Sequence, residues 1–416
     1  MTQIGEAGRR GDKVRSDCWV RVEPKPRGGV RLAVATQVEA MYGDAVRATC
    51  ARTLEALGVK HAAVTVEDHG ALDFVLAARV EAAVKRAGLG EGRSYLPEPG
   101  TGLASPVTRD RFRRSRLYLP GNEPKFFLNA GLHGPDGVIL DLEDSVAPPE
   151  KDAARLVVRN ALRCVDFCGA EPMVRINQGE RGLVDLDAVV PQGVHVILIP
   201  KVETAEHVRA VDARAKKLAT AAGLKQSPFL MPIIESAMGC FEAPYIASAS
   251  PNVVALTIGL EDYTADIGAQ RTLEGKESFW ARSVVVNAAR AAGVTPIDTV
   301  FSDVADMEGL RAACLEAKGL GFEGKGCIHP RQIPVVHEAF APSADEIERS
   351  KRIVLAFEEA ERKNLGVVSL GSKMIDPPIV KRALRTIKMA EALGLLEKGW
   401  RRRERANEPK SQRGNE

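Results

Sequence analysis

The sequence predicts an α/β protein: a closed (β/α)8 TIM barrel, with a small α+β domain ahead of it and a helical extension behind. Three observations point there. Between residues 114 and 341, eight short apolar runs alternate with segments of helical period, and eight is the strand count that a closed barrel needs. That stretch is about 230 residues long, near the ~250 typical of the fold. Runs such as Val194-His-Val-Ile-Leu-Ile199 are apolar on both faces, as parallel strands between a filled pore and a helical layer must be. An open doubly wound sheet would use the same alternation and is the competing topology.

Residues 1–90 form a unit of their own. Residues 18–22 and 29–35 alternate like strands, divided by the turn formers Pro24, Pro26 and Gly28. Residues 38–57 carry helical periodicity up to Gly58, 61–66 read as a third strand and 71–87 as a second helix. Residues 91–112, rich in Gly, Pro and Ser and without periodicity, read as a linker. Within a barrel domain at 113–345, strands are expected at 116–120, 138–142, 173–177, 194–200, 230–235, 254–259, 296–301 and 326–329. Residues 346–416 read as a helical lid and basic tail: helices at 344–365 and 379–395, joined by a glycine-rich turn at 366–371.

Composition narrows the class. With 45% hydrophobic and 27% charged residues, the 416-residue chain resembles soluble globular proteins. A net charge of +3 gives no argument for nucleic acid or membrane as a partner, and the Lys/Arg cluster at 398–405 reads as a solvated tail. Seven cysteines without framework spacing fit a reducing compartment. The start of the chain is polar and charged through Arg15, unlike a secretory signal, and no apolar run approaches the ~18 residues of a membrane span. The expected location is the cytoplasm.

Four of the barrel runs end in charge: Val138-Ile-Leu-Asp141-Leu-Glu143-Asp144, Met173-Val-Arg175-Ile-Asn177, Met231-Pro-Ile-Ile-Glu235-Ser236 and Thr257-Ile-Gly259-Leu-Glu261-Asp262. In a barrel, catalytic side chains sit where strands end and βα loops begin. Glu235 and Asp262 end consecutive strands, and two carboxylates are a usual protein share for Mg2+. Each could instead cap the helix that follows. Glu143 and Asp144 end the second strand, where one could bind metal-bound water or substrate, or simply start a helix. Arg175 lies between β-branched neighbours and needs an anion, either a substrate carboxylate or enolate or a structural partner such as Asp141 or Glu143. Lys201 ends the fourth strand and could form a Schiff base, or pair with Glu203 or a substrate phosphate. Arg113, Arg114 and Lys125 are candidates for contacts to substrate phosphates. Gly319-Leu-Gly321-Phe-Glu-Gly324 precedes a strand, so its dinucleotide reading fails. Cys327 and His329, two apart on a strand, do not make a nucleophile and base unaided.

With these residues in view, the barrel resembles the citrate lyase β subunit and the magnesium-dependent malyl-CoA and citramalyl-CoA lyases of the HpcH/HpaI aldolase family. The matching stretches are Arg114-Ser-Arg-Leu-Tyr-Leu-Pro-Gly-Asn122, Ile139-Leu-Asp-Leu-Glu-Asp144, Val174-Arg-Ile-Asn177, Ile199-Pro-Lys-Val-Glu203, Glu235-Ser-Ala237, Gly259-Leu-Glu-Asp262 and Cys327-Ile-His-Pro330. The resemblance implies that Glu235 and Asp262 ligate Mg2+, that Arg175 contacts the keto-acid half, and that Asp144 lies in the outer shell. It also implies that Asp376, in Lys373-Met-Ile-Asp376, enters a neighbouring subunit's site, so that the protein is a homo-oligomer, a trimer or a hexamer. The first domain resembles the citrate lyase acyl carrier (γ) chain at Tyr42-Gly-Asp-Ala-Val-Arg47 and Asp68-His-Gly-Ala-Leu72. Where that chain carries its phosphoribosyl-dephospho-CoA arm on a serine, this sequence has Arg15, with Ser16 one place on. Either Ser16 takes the arm, or the domain is an unmodified scaffold.

The resemblance implies retro-Claisen cleavage of a 3-hydroxy-3-carboxy acyl thioester of coenzyme A, of citryl, malyl or citramalyl type, to a 2-keto acid and an acyl thioester, with Asp376 as the acid that reprotonates carbon. Two alternatives remain: a class II aldolase acting on free hydroxy-keto acids, and a carrier-barrel component of a larger citrate lyase complex with an α-like transferase subunit.

Overall fold

The computed structural model describes residues 3–100, 108–362, 368–370 and 373–407. They belong to two compact units, Met1–Val336 and His337–Glu416. Part of the expected linker, half of the glycine-rich turn and the end of the basic tail lie outside the described residues.

The first unit opens with a four-stranded sheet of β1 (Gly5–Gly8), β2 (Cys18–Pro24), β3 (Val30–Thr36) and β4 (Ala62–Asp68), ordered β1-β2-β4-β3. β2 runs antiparallel to β1 and β4, and β3 parallel to β4. Two helices cover it, α1 (Glu39–Ala56) and α2 (Asp73–Arg86). The sequence reading missed β1, because Gly-Glu-Ala-Gly offers almost no apolar pattern. Its register instead answers to α2: a Cβ on Gly5 would lie 2.0 Å from the Ala83 carbonyl oxygen. Every residue of α2 from Phe74 to Val84 is buried, Arg79 and Glu81 included. A helix buried all round has neighbours on every side, and here they are the sheet, α1 and the first barrel helix.

Eight parallel strands close the barrel in chain order: β5 (Ser115–Pro120), β6 (Gly137–Asp141), β7 (Glu171–Arg175), β8 (Val196–Ile199), β9 (Phe229–Ile234), β10 (Ala255–Ile258), β11 (Thr295–Val300) and β12 (Lys325–Cys327), which returns to β5. Between them lie α3 (Lys151–Cys164), α4 (Gly179–Val189), α5 (Ala205–Ala221), α6 (Ala237–Ala247), α7 (Leu260–Asp266), α8 (Phe279–Ala291) and α9 (Met307–Leu320), with α10 (Gln332–Phe340) after β12. The closed sheet rules out the open, doubly wound alternative. Ile139, Met173, Val196, Leu198, Met231, Ile233 and Ile297 fill the pore, with Tyr118 packed against them. Arg116 is also buried there, held by the Thr257 hydroxyl and the Asp298 carbonyl, each at 3.4 Å.

The amino ends of the strands are closed by ion pairs. Arg113 and Glu171 are both buried and meet at 2.6 Å. Arg114 is held by Asp136 through two bonds of 2.9 Å.

The second unit holds α11 (Ala344–Arg362), an antiparallel pair of β13 (Val368–Leu370) and β14 (Lys373–Ile375), α12 (Pro377–Ala392) and α13 (Trp400–Asn407). Ile353, Val354, Val380, Ala383, Ile387 and Trp400 form its core. Among the described residues, no helix is long and apolar enough to cross a membrane.

His195, just before β8, yields a pH prediction. Burial, with Arg111 and Arg113 nearby, lowers its pKa from 6.5 to about 4, so it folds neutral. The unfolded chain therefore takes up the proton first. Stability from this residue is complete above pH 6.5 and is lost as the pH falls towards about 4. In urea titrations at pH 4.5 and 7, we expect His195→Gln to lose less stability on acidification than the wild type, by a few kcal/mol at most. Equal losses would show that His195 does not sense acid.

Candidate active site at the carboxyl ends of the strands

Arg175 ends β7 beside Asp141, which ends β6, in register across the ladder. Its Nε and Nη2 donate to the two Asp141 oxygens at 2.6 and 2.7 Å, and Nη1 lies 2.9 Å from Glu143 Oε2. The Tyr118 ring lies below it, 5.4 Å from the guanidinium carbon. Burial disfavours charge on both partners, yet the bidentate bond wins: the Asp141 carboxyl is held below its ordinary range and Arg175 stays a cation. The structural partner open from the sequence is therefore present, and the guanidinium has donors to spare for a substrate.

Glu143 also accepts from Gln178 Nε2 at 2.9 Å, and burial raises its pKa. Lys151 ties this corner together, donating to the carbonyls of Leu142 and Glu143 and to Asn177 Oδ1 at 2.5 Å.

Glu235 follows β9 and is 6% exposed. It does not cap the next helix. Ser236 does so, its hydroxyl accepting from Gly239 N and donating to Glu203, which leaves the Glu235 carboxylate to the barrel mouth. Glu235 Oε2 accepts from the backbone N–H of Lys201, a residue held in the left-handed region at φ 49°. Gly259 supplies the room: a Cβ there would sit 2.4 Å from Glu235 Oε1. Burial, then the charges of Asp262 and Glu143, push the Glu235 pKa up to about 8.

Asp262, in the first turn of α7, takes the Lys201 ammonium at 3.2 Å; the same ammonium lies 3.5 Å from Asp144 and 3.6 Å from Glu143. Although burial opposes its charge, these carboxylates hold the Lys201 pKa above its ordinary value. A lysine kept protonated is a poor Schiff-base nucleophile.

Five carboxylates, Asp141, Glu143, Asp144, Glu235 and Asp262, thus meet two cations, Arg175 and Lys201. With Lys151, whose ammonium also feels Glu143, Asp141 and Asp144, counted beside them, all five ionised would still leave two negative charges in excess (5 − 3). The chain alone relieves the excess by keeping Glu235 protonated near neutral pH. Hard oxygen donors with surplus negative charge fit a divalent cation such as Mg2+. Among the described residues no three acidic, His or Cys side chains converge tightly enough to hold an ion alone, so water and substrate oxygens would complete the shell.

Not every expected residue belongs here. Arg114 precedes β5, at the opposite end of the barrel, with its guanidinium spent on Asp136; Arg113 is buried at that same end against Glu171. The assignment of Arg114 to substrate is corrected accordingly. Cys327 is buried in its strand and its thiol is pushed up to about 12, unsuited to nucleophilic work. Asp376 lies in the second unit, where its side chain accepts from Ile379 N and caps α12. Ser16 is half-buried at φ 55°, its N–H donating to the His69 carbonyl.

Sequence reasoning missed Tyr118, Lys151 and Gln178. Tyr118 sits in an alternating apolar strand that reads as pure core, and Lys151 lies in a helix start. Gln178 follows Asn177 in a strand-end pattern already noted, which could have pointed to it.

Residues 114–330 match the model of the HpcH/HpaI aldolase/citrate lyase family, and residues 11–87 match that of the malonate decarboxylase delta subunit (MdcD). The chain is 41% identical to the citrate lyase subunit beta of Haemophilus influenzae over 285 residues, covering 68% of this chain and 98% of that protein. It is 33% identical over 305 residues to the L-malyl-CoA/beta-methylmalyl-CoA lyase of Cereibacter sphaeroides, covering 68% and 96%. Among solved structures, protein CitE from Mycobacterium tuberculosis, in complex with magnesium, acetoacetate and coenzyme A, superposes with a TM-score of 0.55 at 31% identity, covering 68% of this chain and 99% of that one. The chain belongs to the HpcH/HpaI aldolase/citrate lyase family.

Proposed function

We propose that the protein cleaves a 3-hydroxy-3-carboxy acyl thioester of coenzyme A, or joins the same fragments in reverse, with Mg2+ held by Glu235 and Asp262. As a family member the chain is a carbon–carbon lyase, and its citrate lyase and malyl-CoA lyase relatives make CoA esters the substrate class. The observation that carries the reading is the surplus of carboxylates around the buried Glu235. Malyl and citramalyl thioesters differ by one methyl group, worth only ~1–3 kcal/mol, whereas citryl adds a charged carboxymethyl group.

Mg2+, when bound, supplies Lewis-acid charge to the substrate's hydroxyl and adjacent carboxylate oxygens. Arg175, braced by Asp141 and Glu143, offers its remaining N–H groups to the keto-acid oxygens or the developing enolate. Lys201 keeps Asp144, Glu143 and Asp262 in place as a fixed cation. Asp376 of a neighbouring copy delivers the proton to the acyl carbanion, which makes the active form a homo-oligomer. The N-terminal domain serves as an unmodified scaffold, and intact-mass measurement showing an adduct on Ser16 would refute that part.

Gly259→Ala tests the metal role of Glu235. The glycine's backbone, at φ −111° and ψ 103°, accepts alanine, so its main effect is to push against the Glu235 carboxylate. Calorimetry should find Mg2+ bound at least about tenfold more weakly, with Tm little changed; wild-type affinity would free Glu235 from that role. Asp376→Asn separates acid from cap, because asparagine caps a helix as well as aspartate does. We expect thermal stability to be retained and keto-acid release to fall roughly a hundredfold. Turnover at the wild-type rate would end the proposal for Asp376. Across citryl-CoA, malyl-CoA and citramalyl-CoA, keto acid should appear from at least one thioester and stop on exhaustive chelation. Cleavage only of free hydroxy-keto acids would favour the aldolase instead.

A further inference from the structure

The N-terminal domain lies against the catalytic end of the barrel. The loop at residues 9–17, between β1 and β2, is clamped to the first βα loop: Arg79 Nη2 donates to Asp17 Oδ2 at 2.8 Å and to the Asn122 carbonyl at 3.0 Å, with both side chains buried. Arg9 pairs with Glu123 in the same βα loop. That loop in turn abuts the site, since Gly121 N donates to the Asp141 carbonyl at 2.8 Å and Asp141 holds Arg175. Arg86 fixes the second βα loop, donating to the Pro149 carbonyl and to Asp152, both at 2.5 Å.

Four cations, Arg9, Arg10, Lys13 and Arg15, crowd this short loop against Asp12 and Asp17. Two of the four are spent: Arg9 on Glu123, and Arg10 on Glu67 and the Trp19 ring at 4.0 Å. Asp17 is spent on Arg79. Lys13 and Arg15 are exposed and have no ion-pair partner among the described residues. A rigidly mounted pair of open cations on the rim of a substrate mouth attracts an anion. A coenzyme A thioester has its phosphates at the far end of the flexible pantetheine arm from the reacting carbon. With that carbon at Arg175 and Glu235, the phosphates extend out of the mouth towards the rim.

We propose that the 9–17 loop of the N-terminal domain binds the phosphates of the coenzyme A half of the substrate, with Lys13 and Arg15 as the contacting cations. The proposal rests on the CoA-ester reading above and assigns the added domain a share in substrate recognition. No covalent step is involved.

The test is calorimetric titration of the full chain with free coenzyme A and with pantetheine, which lacks the nucleotide phosphates, for the wild type and for Lys13→Glu/Arg15→Glu. The expected result is coenzyme A binding to the wild type, weakened about tenfold or more by the double reversal, with a shallower salt dependence, and pantetheine binding that does not follow the charge change. Coenzyme A bound equally well by both proteins would overturn the loop assignment while leaving the lyase reading intact. Equal weakening for coenzyme A and pantetheine would overturn it too, as a loss of structure and not of phosphate contact. A wild type that fails to bind coenzyme A at all would sink the CoA-ester reading and the loop assignment with it.

Discussion

Glu235 is buried at the end of β9 without a cation of its own, and much of the barrel mouth follows from that placement. Burying a carboxylate is unfavourable unless something compensates. Here a backbone N–H from a residue in the left-handed region and the absence of a side chain at Gly259 give it a fixed seat. Neither neutralises it. Asp262 and Glu143 make matters worse, and the nearest protein cations are already committed to other acids. Such a site stores electrostatic demand, which an incoming cation and the oxygens it brings can satisfy.

The barrel was legible in the sequence because its strands are apolar on both faces and its alternation with helices is regular. The exceptions have local causes. β1 is a glycine-rich edge whose position is set by contact with α2, a tertiary effect that no four-residue pattern reveals. At the site, strand-end charge brought Glu143, Arg175, Glu235 and Asp262 to notice, because charge at the end of an apolar run is conspicuous. Tyr118 was hidden for the opposite reason: it looks like any core aromatic until the guanidinium above it is known. Arg114 misled because charge beside a strand does not say which end of the barrel it occupies. Residues before a strand and after it read alike in composition, yet they lie a full strand length apart.

The same ambiguity surrounds Asp376. Its carboxylate has a complete local duty as a helix cap, so its geometry within one chain neither needs nor excludes a second role. Capping fixes the direction of α12's first turn and holds the carboxylate in one orientation.

The buried helix α2 has a broader consequence. Glu81 meets Arg159 of α3 at 2.8 Å with both side chains shielded, and Asn160 donates to the Phe74 carbonyl. Stripping residues 3–100 from the barrel would expose that surface and leave the Arg159 guanidinium without its carboxylate. Barrel and N-terminal domain therefore share a buried polar seam, and opening one exposes the other.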